Sequence, residues 1–515
     1  MKNTSDNLHE LIHCMSMNEK RYFKITTSGN RDGQDNTYLK LFNLIAEQKK
    51  YNEHAIKSSL SAQAKKDLPV MKNYLYNLIL KKLCSYNASS QIEIQLHNQL
   101  SEAFILFQKG LYKHYEKKLK KIKAVAKKYN KTEVLLEIYN RELKQIHFKE
   151  NLQAMEDKYE ILLRESAEIL NRINNRNQYY RLKNKMYLLL RKTGVSQNKQ
   201  TQSQYSQLML DPLLKNENAA LTPESRLCYY DLRASYHLFG RSNSEKAIDS
   251  LEAKHQFLQQ LPERSHEYII SLANTLINLA ISNHSINKIK RAFEIIMQLE
   301  EEMEKWKKTL PAYLYSRILS SLHSIKSSCL IDIGNFKEGL QEILHEEELL
   351  HMHYSSNNFN GLYYKKAVAH FALNQYPESL SCINTLLNSS TLIEQDKYYR
   401  KTKLLQLLLY IEMQKSDLIE HEAIAIKRFY KKAGNLSKAE KMAFDFIINS
   451  LNADLSQKQF IVRCITFKKQ LDSIVKDPHE KGVIDGFDIL TWLESKIQNR
   501  SLTEIVQEKA KLSAK

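Results

Sequence analysis

Apolar residues recur every three to four positions along most of this 515-residue chain, which is the spacing of one face of an α-helix. The stretch that begins at Leu68 shows the pattern clearly. It predicts a helix with a buried face that consists of Val70, Tyr74, Leu75, Leu78, Ile79 and Leu83. Long helices follow one another from about Gln91 to Lys192, and helical spacing resumes at Leu221. The predicted fold class is therefore all-α.

Several helix starts can be read from capping residues. Ser16 with Glu19, and Ser501 with Glu504, have the spacing of a capping box, in which the two residues satisfy each other's free backbone N–H groups. At Thr222 the hydroxyl can cap a helix whose first residue is Pro223, because proline lacks the N–H that the first turn leaves unpaired. These positions predict where three of the helices begin.

The chain divides into five predicted parts. They are a helical cluster at 1–90, a basic region of long helices at 91–192, a linker or exposed loop at 193–221, helical repeats at 222–475, and capping helices at 476–515. The linker is predicted because its first fifteen residues are polar, rich in amides and almost free of apolar side chains. The short helices of 1–90 leave room for a helix-turn-helix, although no recognition helix can be identified.

An internal similarity indicates repeats in the second half of the chain. A turn is followed by an anchor residue and, three positions later, by a small residue, which lets two antiparallel helices approach closely. The pairs of anchor and small residue are Ile289 with Ala292, Phe336 with Gly339, and Tyr376 with Ser379. A related segment begins at Gly110.

At these residues the chain resembles the tetratricopeptide repeat (TPR) family. Leu276, Leu279 and Ala280, like Tyr363 and Ala367, match the spacing of the first helix of that repeat. The anchors are 47 and 40 residues apart, against about 34 in the family, and the signature tryptophan is absent. The resemblance implies an α-solenoid, a superhelix of antiparallel helix pairs whose concave face binds peptides or other protein segments. Generic helical hairpins remain the alternative.

Composition supports helices and a reducing compartment. The 11 Gly and 7 Pro are too few for a protein rich in turns and sheets. The six cysteines have neither the close spacing of a metal clip nor that of a disulfide framework.

The N-terminal segment lacks the apolar core of a signal peptide, and no apolar stretch is long enough to span a bilayer. We therefore expect a cytoplasmic protein without membrane contact.

Enzyme and metal motifs give no positive signal. The glycine-rich phosphate loops, the HExxH zinc helix and the GxSxG nucleophile turn are all missing. The densest histidine cluster runs from His345 to His353, but its candidate ligands point to different sides of one helix. We therefore expect no catalytic residue, no cofactor, no metal and no enzyme activity.

Positive charge is concentrated in one part of the chain. The net charge is +19, and residues 101–200 contain 23 basic and 11 acidic residues. Nine lysines lie between Lys113 and Lys131, on a predicted amphipathic helix with a buried stripe of Leu119, Ile122, Ala126 and Tyr129. A local positive field attracts anionic partners without choosing among them. For these lysines we favour a solvated helix face as the interpretation, because lysine is a strongly hydrated point charge.

The candidate binding residues fall in two groups. Ile169 to Leu210 contains eight basic residues and no Asp or Glu, and its candidates are Arg172, Arg176, Tyr180, Arg181 and Lys183. On the repeats the candidates are Asn274, His284 and Tyr364.

Arginine can bind carboxylates through two hydrogen bonds, so a protein or peptide partner, which could be acidic, is predicted. Arginine beside tyrosine also suits phosphate contact with base stacking, so a regulator that binds nucleic acid is the alternative function. The sequence leaves the oligomeric state open.

Overall fold

The computed structural model describes most of the chain in twelve segments and three single residues. These are 4–28, 34–88, 91–145, 152–193, 199–240, 243–261, 265–353, 359–389, 397–415, 438–451, 456–474 and 489–513, with Leu418, Glu422 and Ala425. Within them the structure is helical and contains no β-strand. The predicted all-α class is confirmed. None of the helices in these segments is both long and apolar enough to cross a membrane.

Six helices form the N-terminal cluster. They are α1 (Thr4–Cys14), α2 (Met17–Ser28), α3 (Gln34–Ala46), α4 (Glu53–Ser58), α5 (Ala62–Lys66) and α6 (Leu68–Asn87). Ser16 and Glu19 exchange both capping hydrogen bonds ahead of α2, at 2.8 and 3.2 Å. The buried face of α6 comprises Leu68, Met71, Lys72, Leu75 and Ile79.

The predicted face of α6 was partly wrong. Leu75 and Ile79 are fully buried, but Val70 is 71% exposed and Tyr74 is 49% exposed. Both patterns have helical spacing, and the choice between them depends on where the neighbouring helices lie. Here α1, α2 and α3 pack on α6. The buried face of α6 is therefore shifted around the helix by about one residue from the predicted face.

Lys72 is a buried cation within this cluster. Its Nζ lies 2.5 Å from the Glu53 carboxylate and also donates to the Tyr51 hydroxyl. Hydrogen bonds from Lys57 and Lys72 lower the pKa of Glu53 from 4.5 to about 2. A carboxyl group whose pKa is lower in the folded state stabilises the fold above its unfolded pKa, and this contribution is lost as the pH falls.

We therefore expect Glu53→Gln to change how stability depends on pH. The variant should melt at a lower temperature than the unmodified protein at neutral pH, and the difference should shrink between pH 4.5 and about 2. Differential scanning calorimetry across that range measures it. A Glu102→Gln variant, whose carboxylate pairs on an exposed surface with Lys118, is the control. A difference that does not depend on pH would contradict this role of Glu53.

The basic region contains four helices. They are α7 (Ile92–Gln108), α8 (Tyr112–Lys128), α9 (Thr132–Lys144) and the 42-residue α10 (Leu152–Thr193). The predicted stripe of α8 is largely confirmed, since Leu119, Ile122 and Ala126 are buried and Tyr129 is half-buried. Four of the nine lysines of this region pair with carboxylates of neighbouring helices: Lys118, Lys123, Lys127 and Lys131. Ion pairs between helices therefore reduce the local positive field.

Residues 193–221 were predicted to be a linker or exposed loop, and the structure contradicts this for most of the segment. It contains α11 (Lys199–Leu208) and two short 3₁₀ helices, Pro212–Leu214 and Glu217–Ala219. Tyr205 is fully buried, and a Cβ on Gly240 would lie 2.8 Å from its Cβ. One buried tyrosine and a few leucines suffice to dock a short helix against the long neighbours that supply the rest of the core. Residues 194–198 lie outside the described segments.

The following helices are arranged in consecutive pairs. The pairs are α12 (Pro223–Ser235) with α13 (Ser244–Gln260), α14 (His266–Ser285) with α15 (Ile289–Trp306), α16 (Ala312–Asp332) with α17 (Phe336–His353), and α18 (Asn360–Ala372) with α19 (Tyr376–Leu387). Each pair packs internally, and the first helices α14, α16 and α18 also contact one another in turn, as α18 does with α20 (Lys397–Glu412). As predicted, the Thr222 hydroxyl caps α12 ahead of Pro223.

The predicted close approach within these pairs is present. Ala292 and Ser379 are fully buried, and the Ser379 hydroxyl donates to the carbonyl oxygen of Ala367 at 2.9 Å. A Cβ on Gly339 would meet the Ile331 side chain at 3.2 Å. A larger side chain at these positions would have to push two helices apart, because protein interiors are already close-packed.

The turns share one backbone geometry. Within the described segments, seven helices end in a residue with positive φ: Gly110, Asn130, Asn287, Gly334, Asn374, Gln414 and Asn499. The next residue donates its N–H to the carbonyl five positions earlier, for example Asn335 to Leu330 at 2.8 Å, which is the Schellman motif. Glycine and asparagine adopt this conformation most readily. Gln414 follows Asn374 by the same 40 residues that separate Asn374 from Gly334, so it marks a further repeat turn that the sequence did not reveal.

The remaining helices are α21 (Lys438–Leu451), α22 (Gln457–Ile474), α23 (Ile489–Gln498) and α24 (Leu502–Ser513). Trp492 of α23 is buried, and its indole N–H donates to Glu412 of α20 at 2.7 Å. Gln507 of α24 donates to the carbonyl oxygen of Gly334 at 3.3 Å. The predicted boundary between residues 475 and 476 lies outside the described segments. The five-part division otherwise stays a prediction.

Candidate functional site

A groove lies where the basic long helix meets the first two helix pairs. It consists of two adjoining cavities of about 310 and 490 Å³, and we call it the Asp231 groove. Residues of α10, α12 and α14 line both cavities, and the turn between α8 and α9 closes one end. The two cavities share four lining residues: Lys183, Asp231, Glu267 and Ser271.

Asp231 bridges two lysines from different helices at the centre of the groove. Its carboxylate oxygens lie 2.9 Å from Lys183 Nζ and 2.7 Å from Lys254 Nζ. Burial favours a raised pKa, but the attraction of Lys254 and Lys183 is stronger and holds the pKa of Asp231 below its ordinary value. The Asp231 carboxylate therefore stays ionised at neutral pH, and its two ion pairs hold α10, α12 and α13 together.

One face of α14 forms a wall of the groove. Glu267, Ser271, Asn274 and Asn278 follow one another at intervals of three or four residues, so they lie in a row along the helix. Asn274 and Asn278 are exposed. Their amide side chains can each donate and accept hydrogen bonds. Apolar side chains complete the lining, among them Leu227, Phe239 and Ile270.

Among the residues that the structure describes, Cys228 is the one thiol in the lining of the two cavities. Burial raises its pKa to about 11. A thiol with this pKa is almost entirely protonated at neutral pH, whereas the thiolate is the reactive form. The Cys228 thiol is therefore unsuited to covalent chemistry.

The structure brings three of the predicted binding residues together here. Tyr180 and Lys183 come from α10, and Asn274 comes from α14. Tyr180 is 42% exposed. Arg181 is exposed but lines neither of these cavities. Two regions that the sequence analysis treated separately thus contribute to one surface.

Arg172 and Arg176 have a different environment from the one expected. Arg172 donates to the Asn130 side chain at 3.2 Å, and Arg176 pairs with Glu133 and donates to Thr132 at 3.4 Å. Both guanidinium groups therefore bind the turn before α9 and the start of that helix. The sequence segment around them contains no acidic residue, but the fold supplies carboxylates from other segments.

His284 and Tyr364 do not belong to the groove. His284 Nε2 lies 2.7 Å from an Asp332 oxygen, near the turns that end α14 and α16. Tyr364 is only 5% exposed and packs against Tyr398, with ring centroids 5.9 Å apart. A side chain this deeply buried packs the core and is not available for a first contact with a partner.

Of the residues at the centre of the groove, the sequence predicted Lys183 but not Asp231 or Lys254. Asp231 is 48 residues from Lys183 and 23 from Lys254, so no local spacing connects them. The row of polar residues on α14 is the one feature with a sequence signal. It interrupts an otherwise apolar helix at helical spacing, which marks an exposed face.

Comparisons with known proteins leave the family open. No protein-family model matches the chain, and no curated protein matches it. Among solved structures, the Rap conjugation gene regulator of the plasmid pLS20 in complex with the Phr* peptide is similar at a TM-score of 0.37 and 10% sequence identity. The match covers 81% of this chain and 96% of that one. A TM-score this low shows neither a family nor a function.

Proposed function

We propose that this protein is a non-enzymatic scaffold that binds a protein or peptide segment in the Asp231 groove. The observation that carries the proposal is the convergence of Lys183 and Asn274 on one groove, although they lie on separate helices 91 residues apart in the chain. Pockets that bind ligands combine an apolar lining with a few convergent polar groups, and this groove has both.

The chemistry of the groove suits a peptide backbone. The exposed amides of Asn274 and Asn278 can pair with the N–H and C=O groups of an extended segment. Charges of both signs line the groove, with lysines such as Lys128 and Lys131 opposite Glu224 and Glu267. Such a lining favours a partner of mixed charge over a uniformly acidic one. The row of first helices, α14, α16 and α18, would extend this surface as the concave face of a TPR-like solenoid.

Nucleic-acid binding has less support. The Arg172 and Arg176 side chains, which were candidates for phosphate contact, are half-buried and engaged by groups of the chain itself. Four lysines of the basic region pair with glutamates. Counterion release, which drives binding to nucleic acid, needs cations that are free to neutralise phosphates.

We expect an Asn274→Arg substitution to block the groove. Peptides selected on the unmodified full-length chain from a random displayed library should bind the variant at least tenfold more weakly, which corresponds to ~1.4 kcal/mol. The reason is that a long cation replaces an exposed amide within the groove. Fluorescence anisotropy with the selected peptides measures the affinity, and circular dichroism checks that the helices are retained.

Gln298→Arg is the matched control, because Gln298 is exposed on α15 and outside the groove. Selected peptides should bind this variant as they bind the unmodified chain. Equal binding to both arginine variants would refute the groove as the site. Failure to select any peptide, together with tight, strongly salt-dependent binding of a labelled oligonucleotide, would favour nucleic acid instead.

A further inference from the structure

Three potential metal ligands meet on the facing sides of α16 and α17, about 50 residues along the chain from the last groove residue. They are His323 of α16 and Glu342 and His345 of α17, and one ligand atom from each lies within 4.8 Å of the other two. His323 and Glu342 are half-buried, whereas His345 is exposed. On α17 alone, the potential ligands beside its histidines point to different sides of the helix. The third ligand of this cluster, His323, comes from the facing helix α16.

His323 already contacts both of the other side chains. His323 Nδ1 lies 2.5 Å from Glu342 Oε2, and the rings of His323 and His345 have centroids 5.3 Å apart. Glu342 and His345 are three residues apart on one helix, so they share a face. Two imidazoles and one carboxylate form a ligand set that zinc accepts, with a fourth position left for water.

The spacing is close to what a tetrahedral ion needs. With bonds of about 2.1 Å, ligand atoms around zinc are about 3.4 Å apart. The separations, all within 4.8 Å, can be adjusted by rotation of the exposed His345 side chain. The His323 and Glu342 atoms, now 2.5 Å apart, must separate by about 1 Å to admit the ion.

The ammonium group of Lys326 opposes the binding of a metal cation by Glu342. Its Nζ lies 3.1 Å from Glu342 Oε1 and 2.7 Å from Glu300 Oε1. The other carboxylate oxygen, Oε2, faces His323. A metal would therefore use Oε2, and Glu342 would be shared between the ion and the lysine. The ammonium group should weaken binding by repulsion, since two cations several ångströms apart repel each other even near a protein surface.

We propose that His323, Glu342 and His345 bind one divalent transition-metal ion, with zinc as the best fit, and that this ion links α16 to α17. The site is independent of the proposed peptide groove. Its three protein ligands leave one position open for water. Its affinity is limited by Lys326, which makes occupancy depend on the metal concentration.

The experiment uses the full-length chain with Cys14→Ser and Cys84→Ser, because these two thiols are free and exposed and would bind zinc adventitiously. Titration with Zn²⁺ against a chromophoric chelator should show one equivalent bound. His323→Ala, Glu342→Gln and His345→Ala should each weaken it at least tenfold. Co²⁺ should give the visible absorption of a low-symmetry site without a thiolate charge-transfer band.

Two further variants make the outcome decisive. His351→Ala removes an exposed histidine of the same helix outside the cluster and should leave the affinity unchanged. Lys326→Met should tighten binding by about tenfold, since it removes the repelling charge. The absence of one-to-one binding, or equal affinities in the His323, His345 and His351 variants, would overturn the site. The three residues would then be only a hydrogen-bonded link between two helices.

Discussion

A Glu346→Leu variant should be less stable by up to about 3–5 kcal/mol, because it leaves the half-buried Lys365 without its counter-charge. Glu346 of α17 is 7% exposed, and one of its oxygens accepts from Lys365 Nζ of α18 at 3.0 Å. Lys365 also donates to Ser324 and Ser327 of α16. Burial lowers the pKa of Lys365 although Glu346 opposes the shift. Urea unfolding followed by circular dichroism measures the loss.

The double variant Glu346→Leu with Lys365→Met separates the cost of an unpaired charge from the value of the pair. Replacement of a whole buried ion pair by apolar side chains is often neutral or stabilising, so the double variant should recover most of the lost stability. Glu304→Leu, at an exposed pair with Lys307, is the control and should change stability by less than about 1 kcal/mol. A Glu346→Leu variant as stable as this control would show that water reaches Lys365.

The second large effect is expected at Trp492. Its side chain is 1% exposed, and truncation of a fully buried tryptophan to alanine costs about 3–5 kcal/mol. Its indole donates to Glu412, which also accepts from Lys496 at 2.6 Å. Trp492→Ala therefore loses packing and a hydrogen bond to a charged group together. Thermal unfolding should begin at lower temperature and over a broader range, because α23 and α24 cover the last helices of the row.

Trp492→Phe distinguishes the two contributions. It keeps most of the aromatic packing and removes the N–H donor, so we expect a loss of about 1.5–3 kcal/mol, as for other hydrogen bonds to charged groups. If both substitutions are tolerated without loss of stability, α23 does not act as a cover for the row of helix pairs. The prediction of C-terminal capping helices would then be wrong.

Local features of this protein could be predicted from sequence with good accuracy. The capping box of Ser16 and Glu19, the turn at Gly334 and the small residue Ser379 between two helices are all where the pattern indicates. Each depends on residues a few positions apart, whose geometry is determined by the helix itself. Gln414 was missed because glutamine carries no preference for the left-handed conformation.

Features that depend on distant neighbours were missed or misjudged. The amide-rich segment at 199–208 is helical because Tyr205 finds a place beside Gly240, which no local pattern reveals. Arg176 looked available for a partner because its own segment contains no acid, but Glu133 lies 43 residues earlier. His345 has no convergent metal ligands that could be recognised on its own helix, because His323, which lies beside it, belongs to α16.

The sequence by itself determined that the chain is helical, where several helices start or stop, and that it contains no familiar enzyme motif. These properties follow from backbone preferences and side-chain spacing within a few turns. Only the tertiary structure decided which polar groups form contacts within the protein and which line a surface groove. That outcome depends on packing between helices that lie tens of residues apart in the chain. The ion pair of Lys183 with Asp231 is an example, because it places a predicted binding residue in the lining of a groove.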